Sequence, residues 1–214
     1  VLAGVFPEQV KDFFDFNLTP VLFDIETASL INGYAQKAGL VKKVHIKIDT
    51  GMGRLGIRPD EAKSFAEKLS SMKNIEVEGV MSHFSESEAE DKSFSNKQLS
   101  LFERAVSELN PCGVNPRYTH IANSAAIVDL PRSHFNLVRP GIMLYGAYPA
   151  ERLRNKINLK PAMQIKTKIL SIKSLPKGSP ISYGKTCITN KDSLIAALPI
   201  GYADWPSYLQ TFAN

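Results

Sequence analysis

The chain has 214 residues, of which 43% are hydrophobic, 22% charged and 9% aromatic, a balance that excludes a disordered or fibrous polymer and allows a substantial core. Lysine and arginine outnumber aspartate and glutamate by 26 to 21, a formal charge of +5. The basic residues are scattered singly or in pairs without interleaved aromatics, so no nucleic-acid partner is expected, while an anionic small molecule suits the excess.

From residue 1 to about 146, short apolar runs alternate with helical periodicity, the pattern of parallel strands joined by crossover helices. VLAGV at 1–5 reads as a strand, and Pro7 opens a helix at its first position in PEQVKDFFDF. PVLFD at 20–24 is the next strand. It leads into a helix through ASLINGYAQKAG, with Asp24 as N-cap and Thr27 in the first turn.

KKVHIKID at 42–49 is a further strand, and the segment from Pro59 places Ala62, Phe65, Ala66 and Leu69 at helical spacing. IEVEGVMSHF at 75–84 precedes a long helix from about 91 to 109. RYTHIAN at 117–123 and NLVRPGIMLYG at 136–146 bring the predicted strands to six. After about residue 150, β segments separated by Pro and Gly turns follow without helices. The shift places a boundary between Tyr148 and Leu159, with an α/β domain over 1–150 and a partial β domain over 151–214.

Cys112 and Cys187 are far apart and match no metal-ligand spacing, so they read as reduced thiols in a cytosolic setting. The sequence has no apolar run near 18 residues and no signal-peptide pattern at its start, which predicts a soluble intracellular protein with no membrane partner. Val1 falls inside a predicted strand, so the chain is expected to be cut from a longer one.

The densest chemical signal is KIDTGMGRLGIR at 47–58, where Gly51, Gly53 and Gly56 permit positive φ and Arg54 is delivered at the carboxyl end of a strand. His83 ends the strand EGVMSH, a place where barrel and open-sheet sites lie. His45, His120 and His134 lack that combination, and no metal site is predicted. Asn123 and Ser124 suit a helix cap before Ala125, or an anion contact. Arg139, in a mostly apolar segment, needs a buried partner or a cavity, and Gly141 lets a backbone N–H approach a ligand. Tyr183 in ISYG and Tyr202 in PIGYAD flank turns, where packing is the simpler role.

In this order and spacing HIKIDTGMGRLG, EGVMSHF, HIANSAA, NLVRPGIMLYG, ISYGKT and LPIGYAD closely resemble the alanine racemase family over nearly the whole chain. The resemblance implies a (β/α)8 TIM-type barrel, here strands 3 to 8, followed by part of a C-terminal β domain. It implies pyridoxal 5'-phosphate as cofactor, alanine as substrate and a homodimer whose active site takes residues from both subunits. The setting it implies is a bacterial cytoplasm, where D-alanine is supplied for peptidoglycan. Related alternatives are a racemase for serine or of broad specificity, and a non-catalytic fragment that binds the cofactor.

By that resemblance Arg139 meets the pyridine nitrogen, which stays unprotonated and makes a weaker electron sink. His83 sits between Arg139 and Tyr183, and Tyr183 exchanges the α-proton on one face as part of a two-base reaction. Arg54 contacts the substrate carboxylate, and Lys47 takes the place of a carbamylated lysine that supports it. Asn123, Ser124, Gly141 and Ile142 surround the phosphate, and Tyr202 matches the substrate entrance. The segment resembling KANAYGHG that carries the family's anchoring lysine does not occur here, and Lys11 and Lys37 stand in other contexts. This chain alone is therefore expected to be inactive. DWPSYLQ after GYA also departs from the family pattern.

Overall fold

The computed structural model describes residues 1–201, and these divide into two compact units. The first comprises Val1–Leu144 and Tyr148–Leu159; the second comprises Tyr145–Ala147 and the described residues from Lys160 onward.

The first unit is built on a four-stranded parallel sheet, β1 (Val21–Leu22), β2 (Lys42–Lys47), β3 (Ile75–Met81) and β4 (Tyr118–His120), in that spatial order. Its helices are α1 (Val10–Asp15), α2 (Ile25–Lys37), α3 (Ala62–Ser70), α4 (Ser93–Leu109) and α5 (Ser124–Asp129). Consecutive parallel strands need a crossover, and α2, α3 with its preceding turn, and α4 supply them. The alternation expected of part of an α/β barrel is therefore present, with the sheet open among the described residues.

Local chemistry fixes most helix starts. Asp24 caps α2 by accepting a hydrogen bond from the Thr27 backbone N–H at 2.6 Å, as the sequence predicts. Pro7 and Pro59 each open a 3-10 turn that runs into α1 and α3. In α3 the four residues predicted at helical spacing, Ala62, Phe65, Ala66 and Leu69, are all buried. They join Leu22, Val44, Ile46, Val80, Leu99, Phe102 and Ile121 in one core between sheet and helices. Each of the larger side chains contributes roughly 1.5–3 kcal/mol on burial, and each alanine methyl under about 1 kcal/mol.

Two of the six predicted strands do not form. Residues 1–5 join no strand ladder; the Val1 ammonium donates to the Thr19 carbonyl at 2.9 Å and Val5 packs against the core. Ala3 and Gly4 bring almost no side chain with which to hold a pleat. Residues 136–146 make one ladder-like bond, from Arg139 N–H to Ala122 O at 3.0 Å. Pro140 then offers no donor, and Ile142–Tyr145 coils into a 3-10 turn. The other four strands are shorter than predicted; Ile48, just past β2, bridges instead to Ile57 across the glycine-rich loop.

A knot of charge gathers on one sheltered carboxylate of the first unit. The Asp129 carboxylate, 6% exposed, receives Lys92 Nζ at 2.8 Å, Arg152 Nη1 at 2.6 Å and Lys156 Nζ. Lys92 also donates to the Ser87 and Ala89 carbonyls, and Arg152 to Glu88 and Ala89.

The second unit contains two antiparallel ribbons. One pairs β5 (Ser171–Leu175) with β8 (Ser193–Ala197); the other pairs β6 (Pro180–Ile181) with β7 (Cys187–Ile188). No helix in the described residues is long and apolar enough to cross a membrane.

Candidate active site

The carboxyl ends of β2, β3 and β4 bring together Lys47, His83 and the chain after His120, with Arg139 arriving from the segment that follows α5. Each position follows from strand direction, because parallel strands deliver the residues after them to one edge of the sheet.

The glycine-rich loop after β2 is organised by Asp49. Its Oδ1 accepts from the backbone N–H groups of Gly51, Met52 and Gly53 at 2.9, 2.8 and 3.1 Å, and its Oδ2 from Arg54 N–H at 3.1 Å. One carboxylate thus satisfies four donors of a loop whose base is closed by the bridge between Ile48 and Ile57. Gly51, Gly53 and Gly56 all have positive φ, as the sequence predicts. The Arg54 side chain is exposed at the loop tip.

Lys47 is buried, 3% exposed, at the end of β2. Burial lowers its pKa from the usual lysine value, the Arg54 and Arg139 charges lower it further, and Asp49 opposes them. Beside it, Thr50 Oγ1 and Ser82 Oγ share a hydrogen bond at 2.8 Å.

Arg139 finds the polar surroundings its sequence context demands. Nη2 donates to the Ser82 carbonyl at 2.7 Å and lies 3.3 Å from His83 Nδ1, and Nη1 donates to His120 Nδ1. Burial lowers the Arg139 pKa to about 10, which leaves the guanidinium charged at neutral pH. His83 is lowered to about 4 by burial and by the cations Arg139, Arg54 and Lys47. It is therefore neutral, with a bare Nδ1 facing Arg139 and its hydrogen on Nε2.

Ser124 and Gly141 are in direct contact. Ser124 Oγ accepts from Gly141 N–H at 2.8 Å and lies 3.4 Å from Met143 N. A Cβ added at Gly141 would sit 3.8 Å from that hydroxyl. Asn123 caps α5, its Oδ1 accepting from Ala126 N–H at 3.1 Å and from Ser87 Oγ at 2.6 Å. The helix starts at Ser124, one residue earlier than predicted.

Tyr183 belongs to the second unit, where it opens the 3-10 turn Tyr183–Lys185 and is 87% exposed. Tyr202 lies outside the described residues. His134 is accounted for by a 2.9 Å hydrogen bond to the Ile127 carbonyl. No group of three or more metal-ligating side chains occurs among the described residues.

Sequence reasoning missed two residues. Asp49 was seen at the strand end but given no role, although an acid just before a glycine-rich turn is a known way to collect backbone donors. His120 was set aside because it does not stand at the end of its predicted strand, yet it is 2% exposed and touches Arg139. A histidine in an otherwise apolar buried strand was the available signal.

A family model described as "Alanine racemase, N-terminal domain" matches residues 1–149, and one described as "Alanine racemase, C-terminal domain" matches residues 162–211. The alanine racemase of Halothermothrix orenii is 46% identical over 204 residues, 95% of this chain and 54% of its own length. That of Carboxydothermus hydrogenoformans is 42% identical over 218 residues, covering 100% of this chain and 58% of its own. Among solved structures, an alanine racemase of Clostridium difficile 630 aligns with a TM-score of 0.79 at 36% identity, over 95% of this chain and 54% of that one. The Bacillus anthracis alanine racemase with bound L-Ala-P aligns with a TM-score of 0.75 at 34% identity, over 95% and 53%. This chain spans about half the length of the curated relatives it matches.

Proposed function

This chain belongs to the alanine racemase family, and on that premise we propose that the complete protein interconverts L-alanine and D-alanine with pyridoxal 5'-phosphate held around Arg139 and Ser124. The observation that carries the reading is the charged Arg139 guanidinium, 3.3 Å from neutral His83 at the carboxyl edge of the sheet.

The residues present fit the cofactor. Ser124 Oγ and the N–H groups of Gly141 and Met143 gather within hydrogen-bond reach of one another, a donor-rich cradle suited to phosphate oxygens, and a Cβ at Gly141 would stand 3.8 Å from the Ser124 hydroxyl. Asn123 and Ile142 flank that cradle in sequence. Arg139 can only donate, so a ring nitrogen placed against it stays unprotonated. When bound, pyridoxal phosphate supplies an electron-withdrawing ring that acidifies the hydrogen on the substrate α-carbon.

This chain's residues would then divide the remaining work. His83 accepts from Arg139 at Nδ1, and its Nε2–H is free to donate to the oxygen of Tyr183, which favours the phenolate. That phenolate takes or returns the α-proton on one face. Arg54 binds the substrate carboxylate from the loop that Asp49 ties down, and Tyr202 belongs to the substrate entrance. A lowered Lys47 pKa raises the share of neutral amine, the form that adds to carbon dioxide with loss of a proton to give a carbamate able to pair with Arg54.

The same reading includes a homodimer with Tyr183 presented across the subunit interface, a bacterial cytoplasm, and supply of D-alanine for peptidoglycan. A 214-residue chain of this sequence alone lacks the family's anchoring-lysine motif and is proposed not to racemise. The test is D-alanine formation from L-alanine by the complete protein, in parallel with borohydride trapping of the cofactor and peptide mapping. Activity with a labelled lysine outside residues 1–214 supports the reading. No D-alanine under saturating cofactor sinks it, and faster turnover of serine than alanine replaces the substrate.

A further inference from the structure

Two histidines on non-adjacent strands meet across a third strand. His45 lies on β2 and His120 on β4, with β3 between them, yet His45 Nδ1 and His120 Nε2 are 2.8 Å apart and their ring centroids 5.0 Å apart. The gap they use is Gly79. It is paired with both His45 and Tyr118, and a Cβ built on it would fall 2.5 to 2.6 Å from three atoms of the His45 ring. Just before that point the pairing of β2 with β3 slips by one residue, Val44 opposing Val77 and His45 opposing Gly79. The slip and the missing side chain act together: one aims His45 at the glycine, the other gives it passage.

The chain of contacts continues to Arg139, whose Nη1 donates to His120 Nδ1. Hydrogen counting then assigns every proton. A guanidinium only donates, so His120 Nδ1 is bare and His120 carries its hydrogen on Nε2. That hydrogen points at His45 Nδ1, which must also be bare, so His45 carries its hydrogen on Nε2.

We propose that His45 is a positioning residue of the site: through a one-directional chain, Arg139 to His120 to His45, passing over Gly79, it fixes the acceptor that orients the Arg139 guanidinium. Neither histidine touches a reacting atom in this scheme. Each imidazole is neutral, and the chain gives a half-buried cation a polarised acceptor without adding a second charge. The consequence for cofactor binding rests on the function proposed above, whereas the placement of hydrogens does not.

The experiment uses the complete protein with 15N-labelled histidine and arginine, read by long-range 1H–15N NMR at neutral pH. The expected result is a bare Nδ1 and a protonated Nε2 on both His45 and His120. Replacing His45 with Leu removes the acceptor at similar volume, while His45→Asn leaves an oxygen near the place of Nδ1. Solvent exchange of the Arg139 Nη hydrogens should quicken about tenfold in His45→Leu and return to within about threefold of the parent in His45→Asn. Pyridoxal phosphate affinity should weaken and recover in the same order.

A hydrogen on Nδ1 of either residue, or a doubly protonated ring, overturns the proposal in the parent protein without any variant. So does equal Arg139 exchange in parent, Leu and Asn forms. If the protein binds no pyridoxal phosphate while the hydrogen placement and Arg139 exchange follow expectation, the functional reading fails and the positioning chain stands.

Discussion

Gly56 is pressed against Asp49: a Cβ built on the glycine would lie 2.5 Å from the Asp49 backbone nitrogen and 2.9 Å from the Ile48 carbonyl carbon. The two residues close the base of the loop that carries Arg54, and Gly56 holds φ at +130° to do so. Gly56→Ala is therefore expected to destabilise the protein by about 2–4 kcal/mol, since both the contact and the backbone angle resist a side chain. Urea unfolding with an unchanged slope and a lowered midpoint checks this. A midpoint equal to the parent's would show that the loop can open to admit a methyl group.

Asp49 is expected to matter through the same loop. Asp49→Ala leaves four backbone N–H groups without their acceptor. The loop is partly exposed and water takes over some of them, so the expected loss is about 1–3 kcal/mol. Limited proteolysis should find new cleavage near Arg54 in the variant, and an unchanged cleavage pattern would count against the role of Asp49.

Ser124→Ala tests the proposed phosphate cradle apart from the rest of the site. In the complete protein it is expected to weaken pyridoxal phosphate binding by about tenfold to a hundredfold, while pyridoxal lacking the phosphate binds as before. Absorbance titration with both compounds measures the difference. An equal loss for both would place Ser124 elsewhere in the site.

The two histidines on Arg139 give stability a definite dependence on pH. His83 is held at about 4 and His120 at about 3, each chiefly by burial and then by the Arg139 charge, against an ordinary value of 6.5. Between about 4 and 6.5 the unfolded chain binds protons that the folded chain refuses. Stability should therefore rise with pH through that window and flatten above it. Urea midpoints across the range provide the measurement, and His83→Asn should flatten part of the rise. A level profile between 5 and 6.5, where carboxylates contribute little, would refute the assignment.

Asp129→Asn is expected to cost about 2–4 kcal/mol. Removing the acid strands three cations on two remaining acceptor systems, the backbone carbonyls of residues 87–89 and solvent. Thermal unfolding of the variant at low and high salt measures it. A loss no larger than about 0.5 kcal/mol would mean the knot behaves as an exposed ion pair.

Features encoded within a few residues were readable from the sequence. The Asp24 cap, the Pro7 and Pro59 helix openings, the buried face of α3 and the positive-φ glycines all depend on near neighbours. The need of Arg139 for buried partners was readable too, because a guanidinium in an apolar run has few other outcomes. Its partners were not, since His120 and the Ser82 carbonyl lie 19 and 57 residues away. The meeting of His45 with His120 depends on a one-residue slip in strand pairing, which no local pattern records. Residues 1–5 and 136–146 have strand-like composition, but a strand is made by its neighbours as much as by its own residues.

The knot at Asp129 is lopsided in a way that bears on how this surface can change over time. Any one of Lys92, Arg152 and Lys156 can be exchanged while two cations still face the carboxylate. Asp129 itself has no understudy. Drift at this corner of the molecule should therefore wander among the bases and leave the single acid in place, and a library of random variants selected only for folding would display that asymmetry.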